Sequence, residues 1–325
     1  MRTRQLGFSD LHLTTVALGT WAAGGAWAWG WGPQDDADSI AAIRRGLDLG
    51  INWIDTAAIY GVGHSEEVVG EAIQGRRREL LLATKCSRIW DPESGTVLGR
   101  LDAQSIRREC EASLRRLRTD VIDLYQIHWP LPDEGIEEGW GAIADLVRQG
   151  KVRYGGVSNF SIPQLRRIAP IHPIASLQPP YSMLLRKIES DILPYCATNG
   201  IGVIVYSPMQ AGLLTGRFSR ERVTSLDPGD WRLRNEQFQE PKLSANLALV
   251  ERLRPIAARA GITLSQLAVA WTLRRSEVTA AIVGARRPAQ IEETVLAGDL
   301  VLSEEELTQI EGLLADGVRA SISPS

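Results

Sequence analysis

Four residues of the 325-residue chain, Asp55, Tyr60, Lys85 and His128, are of the types that together handle a proton. Asp55 ends the apolar run Ile51–Asp55 and Tyr60 follows shortly after. Lys85 follows Leu80–Thr84, and His128 follows Val121–Ile127. Tyrosine, with a reference pKa of about 10, is a poor acid at neutral pH. An adjacent ammonium favours the phenolate and lowers that pKa, while a carboxylate paired with the ammonium keeps it charged and in place. Taken singly, Asp55 reads as a cap, Lys85 as a snorkelling side chain and His128 as a partly buried structural histidine. Gathered at one place they read as a proton donor.

Eight short β-branched runs provide the positions: Thr15–Leu18, Ile51–Asp55, Leu80–Thr84, Val121–Ile127, Val152–Val157, Ile174–Gln178, Ile201–Tyr206 and Ala280–Val283. Helix-period stripes separate them, such as Ile106, Cys110, Leu114 and Leu117, then Ile136, Trp140, Ile143 and Val147, then Leu264, Leu267, Ala268 and Trp271. Ser161-x-x-Gln164, Thr263-x-x-Gln266 and Ser303-x-x-Glu306 read as capping boxes. Alternating strands and helices predict a parallel sheet, and eight units at this length predict an α/β fold of the (β/α)8 TIM-barrel type, one domain over 1–325. Three features lie outside the eightfold scheme. Thr3–Leu6 and Leu11–Leu13 form a β-hairpin that plugs the barrel bottom. Leu213 to Leu243 is a mobile loop before an extra helix at about Ser244 to Ala260, and Ser303–Leu314 is a second extra helix. Because barrel active sites lie at the C-terminal strand ends, Ser158-Asn159, Gln178 and Tyr206-Ser207 join the four residues above.

Composition narrows the function classes. With 36 Lys+Arg against 39 Asp+Glu the net charge is −3, and Arg76–Arg78 is the longest cationic run, so neither a nucleic acid nor an anionic membrane is an expected partner. Three scattered cysteines, Cys86, Cys110 and Cys196, suit a reducing cytoplasm and make no zinc site. No apolar segment follows Met1–Gly7, so no signal peptide is expected, and no apolar run approaches the roughly 20 residues of a bilayer span. Gly139-Trp140-Gly141-Ala142-Ile143-Ala144 matches a dinucleotide fingerprint but lies within a helix stripe. Gly212–Arg217 lacks the spacing of a Walker loop. His12, His64 and His172 read as surface or structural, and no metal site is expected.

Ordered along the chain, several segments resemble the aldo-keto reductases, most of all the bacterial branch. They include Gly19-Thr20-Trp21, Asn52-Trp53-Ile54-Asp55-Thr56-Ala57-Ala58-Ile59-Tyr60-Gly61, Ala83-Thr84-Lys85, Asp120–Pro130, Gly155–Phe160, Tyr206-Ser207-Pro208, Gly212–Arg217 and Ile282–Arg287. The resemblance implies a catalytic tetrad of Asp55, Tyr60, Lys85 and His128. Tyr60 would be the general acid, Lys85 with Asp55 would tune it, and His128 would orient the carbonyl. It also implies NADPH/NADP+ in preference to NADH, bound without a Rossmann fold. Ser158, Asn159 and Gln178 would hold the carboxamide and Tyr206 would stack on the nicotinamide. Ser207, Leu213, Gly216 and Arg217 would follow the pyrophosphate. Arg286 and Arg287 would meet the 2′-phosphate, with Gln290 and Glu293 near the adenine ribose. Gly19, Thr20, Trp21, Pro208, Met209, Gly212, Gly284 and Ala285 complete the implied cofactor-binding set. Thr294 departs from the pattern, standing where an Asn often contacts adenine.

The expected activity is reduction of an aldehyde or ketone to the alcohol by hydride transfer. Two rivals are the same site run as a sugar or secondary-alcohol dehydrogenase with NADP+ or NAD+, and a non-catalytic nucleotide-sensing regulatory subunit. The expected partner is a small-molecule carbonyl or alcohol, taken by a monomer or weak oligomer. Ten of the residues are Trp. Trp21, Trp27, Trp29 and Trp31 leave strand one, and Trp90 and Trp129 follow strands three and four. Of these, Trp21, Trp29, Trp90 and Trp129 are the expected substrate walls.

Overall fold

A computed structural model describes residues 1–27 and 29–322. Eight parallel strands close into a barrel, running round it from the strand at Ser176–Gln178 through those at Gly202–Val205, Val278–Gly284, Val16–Gly19, Trp53–Asp55, Leu81–Cys86 and Ile122–Ile127 to that at Val152–Ser158. They are β3 (Val16–Gly19), β4 (Trp53–Asp55), β5 (Leu81–Cys86), β8 (Ile122–Ile127), β9 (Val152–Ser158), β10 (Ser176–Gln178), β11 (Gly202–Val205) and β12 (Val278–Gly284). Each lies within or overlaps one of the eight expected runs. An antiparallel hairpin of β1 (Thr3–Gln5) and β2 (His12–Thr14) precedes them, with Arg4 opposite Leu13.

Helices alternate with the strands: α1 (Asp36–Asp48), α2 (His64–Ala72), α3 (Ala103–Leu117), α4 (Ile136–Arg148), α5 (Ile162–Ile168), α6 (Ile192–Thr198), α7 (Arg220–Thr224), α8 (Lys242–Arg259), α9 (Leu264–Leu273), α10 (Pro288–Val295) and α11 (Glu304–Ile322). Their starts follow local chemistry. Asp102 accepts the Ser105 N–H at 2.8 Å to open α3, and Thr263 and Gln266 exchange N–H bonds to open α9. The stripe Ile106, Cys110, Leu114 and Leu117 is buried against the barrel, whereas α9 is buried on all sides. Gly139 and Gly141 lie inside α4, not after a strand.

Inside the barrel, side chains stack in layers because alternate strand residues face inward. The lower layer is apolar. Leu6, Leu11 and Leu13 of the hairpin region pack onto Ala17, Trp53, Ala83, Leu124, Ala175, Ile204, Ala280 and Ile282, so the hairpin does plug the bottom. A Cβ on Gly7 would come within 2.5 Å of the Gly200 carbonyl, so only glycine lets the plug seat against the strands. Two residues further along three of these strands the inward positions turn polar, Trp53 giving way to Asp55, Ala83 to Lys85 and Leu124 to Gln126, and Gln178 of β10 joins them. The parallel register aligns Asp55 with Ala83 and Lys85 with Gln126.

Two departures from expectation lie on the upper face. A second hairpin, β6 (Arg88–Asp91) and β7 (Thr96–Gly99), follows β5. The segment expected as a mobile loop over Leu213 to Leu243 carries short helical turns at Gln210–Thr215, Trp231–Arg234 and Glu236–Phe238, besides α7. Leu213, Val223, Phe238 and Leu243 form its own small apolar cluster. Among the described residues no single helix is long and apolar enough to cross a membrane.

Candidate active site

The polar layer is one connected network. Lys85 Nζ donates to Asp55 Oδ1 at 2.5 Å, to the Thr56 carbonyl at 2.9 Å and to the Tyr60 hydroxyl at 3.3 Å. The other Asp55 oxygen accepts from Gln178 Nε2 at 2.8 Å and Gln126 Nε2 at 3.4 Å. The Lys85 and Asp55 side chains are 0% and 4% exposed, so this ion pair is cut off from bulk water. The His128 ring stands edge-on to Tyr60 at 5.7 Å between centroids. The four expected catalytic residues therefore meet at the top of the barrel.

Tyr60 reaches this place through a tight loop. Gly61 adopts φ +60°, and a Cβ there would lie 2.2 Å from the Gly24 carbonyl. The backbone after β3 and the backbone after β4 thus pass in contact, which only paired glycines permit.

Burial sets the electrostatics. It pushes the Tyr60 hydroxyl above the usual tyrosine range, with Asp55 adding to that, and Lys85 pulls down without prevailing. Lys85 does pull the hydroxyl down, as expected, but desolvating a phenolate here costs more than the ammonium returns, so the net shift is upward. Burial also disfavours the Lys85 ammonium, yet Asp55 and Tyr60 outweigh it and hold its pKa above the ordinary lysine value. Burial, then the charges of Lys85 and Arg88, pushes His128 well below its usual value. At neutral pH the site holds a protonated tyrosine, a charged lysine and a neutral histidine whose buried Nδ1 has no partner among the described residues.

The tetrad opens on a cavity of about 450 Å³. Gly19, Thr20, Trp21, Ser158, Asn159, Gln178, Tyr206, Ser207, Pro208, Met209, Gly212, Gly284, Ala285, Arg286 and Gln290 line it, all residues expected to bind cofactor. Asn159 and Ser207 both have positive φ, 63° and 57°, where the chain turns sharply out of the barrel wall. The Asn159 amide spans the turn: its Nδ2 donates to the His128 carbonyl at 3.1 Å and its Oδ1 accepts from the Tyr206 hydroxyl at 2.9 Å.

A second cavity of about 610 Å³ adjoins it, and Trp31, Ala211, Gly212, Thr215, Arg286 and Gln290 border both. Five arginines line this outer cavity with Asp35 and Asp38; Arg217 pairs with Glu293 and Arg232 with Asp230, which leaves Arg222, Arg286 and Arg287 without a carboxylate partner among the described residues. Such an excess of guanidinium suits phosphate groups.

Some expected residues lie elsewhere. Leu213 is fully buried in the apolar cluster, and Gly216 faces Leu264 and Arg254, outside both linings. Glu293 forms an ion pair with Arg217 at 2.6 Å. The Thr294 hydroxyl donates back to the Gln290 carbonyl at 2.9 Å, and its side chain is buried in α10 packing. Trp90 is not on the cavity wall. Arg88 lines the wall instead, and Trp90 stands one strand repeat, about 7 Å, further out along β6. Trp21, Trp29 and Trp129 do line the cavity, as do Trp27, Trp31, Ile59 and Val97. Trp231 stacks on Trp21 at 5.3 Å, and Arg232 sits over Trp31 at 5.1 Å, so the segment after Gln210 closes onto the tryptophans after β3. Trp231 and Arg232 carried no expectation, although Trp231-Arg232 is itself an aromatic–cation pair in the sequence.

Comparison with known proteins agrees with this architecture. A profile described as the Aldo/keto reductase family matches residues 15–315. Aldo-keto reductase YhdN of Bacillus subtilis is 37% identical, covering 100% of this chain and 97% of that protein. An NADH-specific methylglyoxal reductase of Escherichia coli is 36% identical, covering 95% of this chain and 97% of its own length. Among solved structures, a glycerol dehydrogenase from Gluconobacter oxydans superposes with a TM-score of 0.89 at 39% identity, covering 99% of this chain and 98% of that one. An aldo/keto reductase from Klebsiella pneumoniae, solved with NADP and acetate, gives 0.75 at 32% identity, covering 97% and 96%. With the profile spanning the barrel and relatives alike over nearly their whole length, this chain belongs to the aldo/keto reductase family and is an oxidoreductase acting on carbonyl or alcohol groups.

Proposed function

We propose that the protein reduces an aldehyde or ketone with NADPH, Tyr60 delivering the proton. The observation that carries this reading is the buried chain from Asp55 through Lys85 to the Tyr60 hydroxyl, at the floor of a cavity continuous with one lined by five arginines. When bound, the nicotinamide cofactor supplies a hydride to the carbonyl carbon. Tyr60 gives its proton to the carbonyl oxygen as charge develops there, and the Lys85 ammonium, held by Asp55, stabilises the phenolate left behind. Neutral His128 orients that oxygen. Ser158, Asn159, Gln178 and Tyr206 would hold the nicotinamide end, and Arg286 with Arg287 would hold the 2′-phosphate.

The relatives include both an NADH-specific reductase and a structure with NADP, so selectivity rests on the arginines of this chain. Oxidation of an alcohol is the reverse of the same step and needs Tyr60 as phenolate. Burial holds Tyr60 in the protonated form that reduction needs at neutral pH. The test is Tyr60→Phe, which keeps the ring and removes the proton. Carbonyl turnover should fall by about 10²–10⁴, while NADP+ affinity stays unchanged. Turnover near the wild-type rate would sink the assignment.

A further inference from the structure

Arg286 is held in an unusual way for a residue assigned to a phosphate. Its Nε donates to Gln34 Oε1 at 2.6 Å and its Nη2 to the Pro33 carbonyl at 2.5 Å. Gln34 Nε2 returns a bond to the Arg286 carbonyl at 3.0 Å, and the Arg286 N–H donates to Gln290 Oε1 at 2.7 Å. A guanidinium has five N–H donors in a rigid fork. The Nε/Nη2 edge is consumed by residues 33 and 34, and both Nη1 donors lack a partner among the described residues. Gln34 and Arg286 line the same arginine-rich cavity, and the segment carrying Gln34 has just supplied Trp27, Trp29 and Trp31 to the wall of the other.

We propose that Gln34 is a positioning residue for cofactor selectivity: it grips one edge of Arg286 and leaves the Nη1 edge presented to a phosphate monoester. The inference rests on the assignment of Arg286 to the 2′-phosphate. Without Gln34 the guanidinium swings on its own four-bond stem, and ordering it for the phosphate must be done at each binding event. Because the grip runs through the tryptophan segment, phosphate recognition and the substrate wall are tied to one another.

Calorimetric titration of the full chain with NADP+ and with NAD+ separates the possibilities. Gln34→Ala should weaken NADP+ by about 5- to 20-fold and leave NAD+ within twofold. Gln34→Glu keeps a grip but sets a carboxylate against Arg286, and should weaken NADP+ at least as much, again sparing NAD+. Arg286→Ala serves as the reference. If it weakens both dinucleotides equally, the phosphate assignment itself fails. If it weakens NADP+ alone while both Gln34 variants bind NADP+ as the wild type does, the role given to Gln34 is wrong. Tighter NADP+ binding by Gln34→Ala would equally overturn it, since Gln34 would then compete with the phosphate.

Discussion

Replacing Asp55 by Asn tests the buried ion pair with little change of shape. Asp55 and Lys85 are almost fully enclosed, and their charged atoms lie 2.5 Å apart. At an effective dielectric near 20, unit charges about 3 Å apart attract by roughly 5–6 kcal/mol. The asparagine keeps one oxygen for Lys85 Nζ but points an NH2 at Gln178 Nε2 and Gln126 Nε2, which are donors already. Turning both glutamine amides over restores the hydrogen bonds, but nothing restores the charge. The variant should lose about 3–5 kcal/mol at pH 7, the cost of leaving one buried ion unpaired.

The pH dependence is the sharper readout. In the wild type the raised Lys85 pKa contributes stability that is fully present below about 10.5 and is lost as pH rises through the folded value. In Asp55→Asn burial acts on Lys85 without its main opponent, so the folded pKa drops below the unfolded one. The ammonium then destabilises at low pH and the penalty fades as pH rises. Unfolding followed by far-ultraviolet circular dichroism from pH 6 to pH 10 should show the two proteins converging. Parallel curves across that range would refute the claim that an uncompensated Lys85 charge is the cause.

Glu109 accepts the Ser87 N–H at 2.9 Å, and burial pushes its carboxyl up to about 8. The stability it contributes is full below its unfolded value near 4.5 and is lost as pH rises through about 8, so Glu109→Gln should match the wild type at pH 5 and exceed it by about 2–4 kcal/mol at pH 9; a difference in melting temperature that ignores pH would count against this. Trp21 stacks on both Tyr60 and Trp231, so Trp21→Ala should raise KM for a bulky cyclic carbonyl by the equivalent of about 1–3 kcal/mol and leave a three-carbon aldehyde nearly unchanged. Equal losses for both substrates would mean that Trp21 serves Tyr60 rather than the wall.

The barrel and the polar cluster at its top were legible because two short-range rules converge. A β-branched run has period two, and the chemistry of a parallel barrel stands at the C-terminal end of each run, so Asp55, Lys85 and His128 declare themselves by position. What was illegible depends on depth or on partners remote in the chain. Lys85 beside Tyr60 suggests a lowered pKa, and only the closed, dry barrel top shows that burial wins. The hairpin of β6 and β7 had a signal in Val97 and the turn around Gly95, but an eightfold template has no slot for it. Trp90 was placed by its distance from a strand end, which cannot say that the chain leaves along a hairpin and carries the ring outward. Nothing in the residues around Gln34 points to Arg286.

Barrel closure also orders events in time. The seam is the pairing of β12 with β3, where Gly284 meets Gly19, and it brings Gln34 and Arg286 together across 252 residues of sequence. A ribosome adding 5–20 residues per second takes roughly 13–50 s to cover that interval. Throughout it β3 has one open edge and the most recently added strand another, β11 being the last before closure, each a row of unpaired backbone groups able to recruit a neighbouring chain. The arginine-rich end of the cavity does not exist until the eighth unit emerges, so no ligand that needs it can brace the half-made barrel. Protection during synthesis must come from the local apolar packing of each strand–helix unit or from a holding chaperone, and the cofactor acts on the finished fold alone.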